Sequence, residues 1–331
     1  MNIAQYYKEI SILVKMQLGD TTDYFWQGNK VNPKQVKQGK TVVYLGCNVL
    51  RTLHLAAQFV RIVKLLCNDD VIVLGGPAHC CGFPHSAQQD EVGKQQGLQA
   101  VDTFRLLQPR RLILWCPSCV RQYDIGLNVD WEAEEYEVMH ATEFLALNAK
   151  LIPQTHPGIP RTVAVHEHRD DERNRKNVAD VKILLQQLEG IKVVEGGQIM
   201  SFGYHCSTKA EQPSQAFLQC LDASITSSRA QIDTIVSVYH SCHRALVRAA
   251  KRQGIACVNY VDLVAERAGL QVPDRFGYFM ELGDEEKIWT QVANYFLPED
   301  EPVVRRVIRD FFGRAQVSLN GSLASPKIAK V

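Results

Sequence analysis

Three short apolar runs in this chain each deliver cysteine at their carboxyl end. Val42-Val43-Tyr44-Leu45-Gly46 leads into Cys47, Val71-Ile72-Val73-Leu74-Gly75-Gly76 leads toward the adjacent pair Cys80-Cys81, and Leu112-Ile113-Leu114-Trp115 runs into Cys116-Pro117-Ser118-Cys119. Runs of this length, rich in β-branched residues, read as buried strands. Between them lie amphipathic stretches. From Val49 to Cys67, the residues Leu50, Leu53, Ala57, Val60, Val63 and Leu66 recur at helical spacing, and Gln88 to Leu107 and Val178 to Leu188 read likewise. Strands alternating with such helices imply a mainly parallel sheet. The ligand crevice of an open parallel sheet lies beyond the carboxyl ends of its strands. The pattern therefore sends all five thiols to one place.

The chain also repeats itself. Shifted by 121 residues, Lys40-Thr41-Val42-Val43-Tyr44-Leu45-Gly46-Cys47 meets Arg161-Thr162-Val163-Ala164-Val165-His166-Glu167-His168. His79-Cys80-Cys81 is echoed by His205-Cys206-Ser207, Trp115-Cys116-Pro117-Ser118-Cys119 by Val238-Tyr239-His240-Ser241-Cys242, and His140-Ala141-Thr142-Glu143 by Asn259-Tyr260-Val261-Asp262. Repeated units bury faces against one another. The expected fold is α/β: two Rossmann-like halves with parallel sheets, related by a pseudo-twofold, with the cysteine site at strand ends. The expected division is an N-terminal extension over 1–38 (a helix and a polar arm), a first half over 39–155 and a second over 156–275. C-terminal helices follow over 276–317, then a flexible tail over 318–331. The proline-rich link from Ile152 to Pro160 marks the boundary between the halves.

Four thiolates suffice for a zinc ion or an ordinary cubane cluster. A fifth, with two of the set adjacent, points to something larger or less symmetric. Successive side chains of a strand face opposite ways, so adjacent cysteines serve one site from a loop or bridge two irons. Zinc held by four of the five, and unligated core cysteines, are the alternatives. A net charge of +1 gives no electrostatic case for binding nucleic acid. No apolar run approaches the ~20 residues of a membrane span. The opening MNIAQYYKEI lacks the basic and apolar regions of a signal peptide. Ten cysteines without export suggest a reducing, cytoplasmic setting and metal or redox chemistry.

The arrangement Cys47…Cys80-Cys81-Gly82…Cys116-Pro117-Ser118-Cys119 resembles the cysteine-rich CCG domain of the catalytic B subunit of heterodisulfide reductase. Related domains occur in iron–sulfur subunits of glycolate and lactate oxidation systems. The resemblance implies a non-cubane [4Fe–4S] cluster, two smaller iron–sulfur units sharing an edge, held by Cys47, Cys80, Cys81, Cys116 and Cys119. It also implies cleavage of a disulfide into two thiols, with a disulfide or persulfide as substrate. The chain has no ferredoxin-type C-x-x-C-x-x-C segment, no G-x-G-x-x-G and no Walker loop. Electrons would therefore come from a ferredoxin-like iron–sulfur subunit, with a flavin-bearing subunit beyond it. His79 and His85 flank the adjacent cysteines and are candidates to protonate a leaving thiolate. A subunit that only relays electrons or serves as scaffold, and a zinc-binding structural protein, are the competing readings.

The second half departs from the motif, keeping only Cys206 and Cys242. Histidines gather there: His166, His168, His205, His240 and His243 are half of the chain's ten. His168, His205, Cys206, His240 and Cys242 form a candidate second site for a mixed-ligand iron–sulfur cluster or zinc. The alternative is a decayed site. Cys67, Cys220 and Cys257 read as core thiols. The amphipathic basic stretch from Val303 to Phe312 is expected to pack on its own domain, with a partner subunit or membrane surface as alternatives.

Overall fold

The structure is a computed structural model and describes residues 3–19, 39–68, 70–83, 91–167, 171–194, 223, 226 and 232–313. Strands β1 (Thr41–Gly46), β2 (Val71–Gly75), β3 (Arg111–Leu114) and β4 (Glu137–His140) form one sheet in the order β2-β1-β3-β4. Strands β5 (Arg161–Val165), β6 (Ile191–Val193), β7 (Thr234–Ser237) and β8 (Ala256–Asn259) form a second, ordered β6-β5-β7-β8. Every pairing is parallel, and the two orders are the same order repeated. These are the two Rossmann-like halves that the repeat implies.

The helices are α1 (Ile3–Leu18), α2 (Leu53–Leu66), α3 (Glu91–Leu107), α4 (Pro117–Arg121), α5 (Ala141–Leu147), α6 (Glu172–Gln186), α7 (His240–Gln253), α8 (Tyr260–Ala268), α9 (Arg275–Leu282), α10 (Glu285–Val292) and α11 (Glu301–Phe311). Helix α2 of the first half packs against α8 of the second, and α5 of the first against α6 of the second. In the repeat α2 corresponds to α6 and α5 to α8, so exchanging the halves maps one contact onto the other. This is the pseudo-twofold in physical form.

Burial follows strand alternation. On β1, Val43 and Leu45 face a core shared with Val163, Ala164, Val236 and Val264 of the second half, while Val42 and Tyr44 face a separate cluster with Phe104, Leu112 and Tyr123. One apolar core therefore joins the halves. Two helices differ from their sequence periodicity. The stretch after Cys47 begins as a 3₁₀ turn, Asn48–Thr52, before α2 starts at Leu53. Gln17 of α1 clasps this joint, donating to the Leu50 carbonyl at 3.2 Å and accepting from the Leu53 amide at 2.9 Å. Helix α6 starts well before Val178 because Asp171 caps it, its carboxylate accepting from the Asn174 amide at 2.7 Å.

Contacts divide the chain into two compact units, Met1–Phe276 and Gly277–Val331. Within the second unit, Val304, Val307 and Ile308 of α11 are buried. Arg305 pairs with Glu285, Glu286 and Glu301, and Arg309 with Glu285. The basic stretch is thus neutralised within its own unit. Among the described residues, no helix is long and apolar enough to cross a membrane.

Candidate metal centre

The five cysteines converge where the first sheet ends. Cys47 follows β1 directly, Cys80 and Cys81 follow a 3₁₀ turn (Pro77–His79) after β2, and Cys116 and Cys119 bracket the start of α4 after β3. None is more than 3% exposed. Cys47 Sγ lies 3.5 Å from Cys80 Sγ. From there the thiols form a chain of neighbours: Cys80 contacts Cys81, Cys81 contacts Cys119, and Cys119 contacts Cys116. The backbone is shaped to permit this. Gly46 has φ +72°, and a Cβ there would stand 2.8 Å from Cys119 Sγ and 3.3 Å from Cys116 Cβ. Gly82 has φ +77°, and a Cβ there would strike the Gly93 carbonyl.

The thiols polarise one another. Cys80 is held well below the ordinary thiol range by hydrogen bonding from Cys47, then from Cys81. Cys116 is lowered likewise by Cys119 and then by His240, against the opposing effect of burial. Cys47 and Cys119 are pushed up, chiefly by these same bonds, and Cys81 chiefly by burial. Such groups titrate as a set. Tyrosines surround them. The Tyr6 hydroxyl on α1 is 3.6 Å from Cys47 Sγ, with the Arg51 guanidinium 5.0 Å above its ring. The Tyr7 hydroxyl reaches Cys80 and donates to Gln96 Oε1 at 2.9 Å. The Tyr44 hydroxyl donates to the His79 carbonyl at 2.6 Å, fixing the turn that presents Cys80.

A donor set of five soft thiolates, buried and converging so closely that a single added methyl group would crowd them, suits a polynuclear iron–sulfur group. Comparison with known proteins bears on this segment directly. Residues 41–124 match the family model described as CCG, cysteine-rich domain. The matched segment, similar to the CCG domain, holds all five of these cysteines. A search of curated proteins found no match. Among solved structures, Picrophilus torridus aspartate racemase is similar over 71% of this chain and 96% of its own, at 9% identity and TM-score 0.31. That score is too low to carry any argument.

Around the CCG domain the structure places the other candidates unevenly. His79 is buried beside Cys80. His85, His168, His205 and Cys206 lie outside the described residues. Cys242 is buried in the first turn of α7. His240, grouped by the repeat with the second half, instead lies against Cys116 of the CCG domain and edge-on to Trp115, at 6.3 Å between ring centroids. It contributes to lowering the Cys116 thiol through hydrogen bonding first and charge second. Tyr239 stands where the repeat places the first cysteine of the C-x-x-C pair. Its hydroxyl donates to Asn174 Oδ1 at 2.6 Å and accepts from Asn177 Nδ2 at 2.9 Å.

Sequence reasoning missed the tyrosines of α1 and the position of His240. The adjacent pair Tyr6-Tyr7 in an N-terminal helical stretch was the available signal, but nothing local says which surface α1 covers. His140 was likewise unmarked. It is buried, its Nδ1 accepts from the Thr142 amide at 3.2 Å and its Nε2 donates to the Trp115 carbonyl at 3.0 Å. It thereby steadies the residue before Cys116.

Proposed function

We propose that this chain is an iron–sulfur redox subunit in which Cys47, Cys80, Cys81, Cys116 and Cys119 hold a non-cubane [4Fe–4S] cluster. It acts in a heterodisulfide reductase-like complex on a disulfide or persulfide. The observation that carries the reading is the unbroken chain of five buried thiols at the strand ends of the CCG domain, with Gly46 leaving room for them. Bound there, the cluster would supply one-electron steps and an iron able to engage substrate sulfur. The chain's own residues set its surroundings. Tyr6 and Tyr7 place hydroxyls at Cys47 and Cys80, His240 places an imidazole at Cys116, and Arg51 adds a buried positive charge near Tyr6. Hydrogen bonds and burial of this kind tune a cluster's potential. Electrons would arrive from a ferredoxin-like subunit, with a flavin-bearing one beyond.

A second reading, a subunit that only relays electrons, is favoured by the near-complete burial of all five sulfurs. Anaerobic iron, sulfide and zinc analysis beside the EPR spectrum tests the cluster, and reduction of a model disulfide by the reduced protein separates the readings. About four irons per chain, with stoichiometric thiol release, supports the enzyme. Iron without thiol release leaves the relay, and zinc without iron overturns both.

A further inference from the structure

Away from the CCG cysteines, a second group of potential ligands spans the two halves. His54 is on α2, His243 on α7 and Asp262 on α8, and a ligand atom of each lies within 4.8 Å of those of the others. The two rings sit 6.1 Å apart between centroids. His54 Nε2 is 3.6 Å from Asp262 Oδ1. The histidine side chains are almost wholly buried, 2% exposed for His54 and 2% for His243, while Asp262 opens to solvent at 22%.

The polar atoms here are under-used. Neither nitrogen of His54, nor Nε2 of His243, makes an aligned hydrogen bond among the described residues. Buried ring nitrogens gain most from an aligned partner, and a cation shared by the two imidazoles and the carboxylate would supply one. Each ligand is also braced from behind. His54 Nδ1 lies at ion-pair distance, 3.0 Å, from Asp274 Oδ1. His243 Nδ1 lies 3.3 Å from Ser237 Oγ, which leaves Nε2 as its ligand atom. Asp262 accepts from Gln58 Nε2 at 2.7 Å and from the Asn259 amide at 2.8 Å. Metal-binding histidines and carboxylates are held by such outer partners, most often a carboxylate behind a ring nitrogen.

The pseudo-twofold supplies an internal comparison. At the equivalent contact, α5 against α6, the position of Asp262 is taken by Glu143. There Lys176 pairs with Glu143 at 3.0 Å and with Asp180 at 3.2 Å. One copy of the contact is closed by an ordinary ion pair. The other presents two imidazoles and a carboxylate, and among the described residues no lysine or arginine forms an ion pair with Asp262.

We infer that His54, His243 and Asp262 form a binding site for a divalent transition-metal ion of the zinc class, clamping α2 of the first half to α7 and α8 of the second. Two imidazoles and one carboxylate are a familiar donor set for zinc, with water completing the coordination on the Asp262 side. The site uses none of the five cysteines of the first half and does not depend on what they hold. Its role is structural, tying together helices far apart in sequence.

The test uses the full-length protein with its cysteine-bound metal in place. After exposure to zinc and desalting, metal analysis should show a single zinc above the cysteine-bound content. His54→Gln and His243→Ala should each lose that zinc while keeping the cysteine-bound metal, and zinc should no longer raise their melting temperature. Because either variant could misfold, zinc-edge X-ray absorption of the unaltered protein supplies an independent reading. A nitrogen and oxygen shell at about 2.0–2.1 Å with imidazole scattering is expected, and a sulfur shell at about 2.3 Å is not. Absence of retained zinc, a sulfur-only shell, or undiminished zinc in both folded variants overturns the proposal.

Discussion

Replacing Gly46 with alanine separates the packing of the cysteine site from ordinary backbone strain. At φ +72° an alanine occupies the left-handed region, which costs an L-residue about 1–2 kcal/mol. Its Cβ would stand 2.8 Å from Cys119 Sγ, where non-bonded carbon contacts settle at about 3.5–4.0 Å. The sulfur must therefore withdraw by at least about 0.7 Å, and Cys116 Cβ at 3.3 Å closes one direction of escape. Metal–ligand distances tolerate only about 0.2 Å. Gly46→Ala should thus lose most of the cysteine-bound metal as well as stability. Gly39 provides the control: it has φ +77°, with nothing within 4 Å of an added Cβ. Gly39→Ala should lower the melting temperature by about 2–8 °C and leave metal content unchanged. Iron and sulfide analysis after anaerobic reconstitution, with thermal melts of both variants, gives the answer. If Gly46→Ala loads as much iron as the unaltered protein, the close approach described here does not constrain the site.

Cys81→Ser and Cys119→Ser should each lose or convert the cluster, whereas Cys67→Ala, at the buried end of α2, should keep full iron content and cost about 1 kcal/mol in chemical denaturation; full iron in both serine variants would count against their assignment as ligands. Tyr6→Phe removes the hydroxyl 3.6 Å from Cys47 Sγ and should lower the cluster's one-electron potential by about 20–60 mV at constant iron, read by EPR-monitored titration; an unchanged potential would remove Tyr6 from the tuning set. His140 is lowered to about 3, first by burial and further by Arg173, Lys176 and His240, against the opposing bond to the Trp115 carbonyl. Between its unfolded value of about 6.5 and that lower value the unfolded chain holds the extra proton, so stability falls on acidification by up to about 1.4 kcal/mol per pH unit. Denaturation midpoints from neutrality downward should therefore drop less steeply in His140→Gln, and parallel slopes would refute the assignment.

Much of the architecture was legible because local and global signals agreed. The apolar runs gave β1, β2 and β3 nearly to their ends, and the repeat pointed to a second parallel sheet. Strands β4 and β8 escaped notice because Glu137-Val138-Met139-His140 and Ala256-Cys257-Val258-Asn259 are short and half polar. The first turns of α6 escaped because Glu172 to Lys176 carry no apolar period, their helicity being fixed by the Asp171 cap. At the site, the five cysteines were readable as a set because each strand end announced one. The residues that face them were not. Tyr6 lies 41 positions from Cys47, and His240 arrives from the other half, where alignment of the repeat assigns it elsewhere. His54 gave no sign at all, since a lone histidine in an apolar helix reads as core.

The exchange of helices between halves also sets a timetable for synthesis. Gln58 of α2 bonds Asp262 of α8 across 204 positions. At about 5–20 residues per second the apolar flank of α2 therefore waits roughly 10–40 s for its cover. During that interval the first half, cysteines included, has left the ribosome without the surface that completes it, and His240 has yet to reach Cys116. A nascent chain in this condition is vulnerable both to aggregation through α2 and to oxidation of its paired thiols. The last helix of the repeat thus completes the cover of a half made long before it.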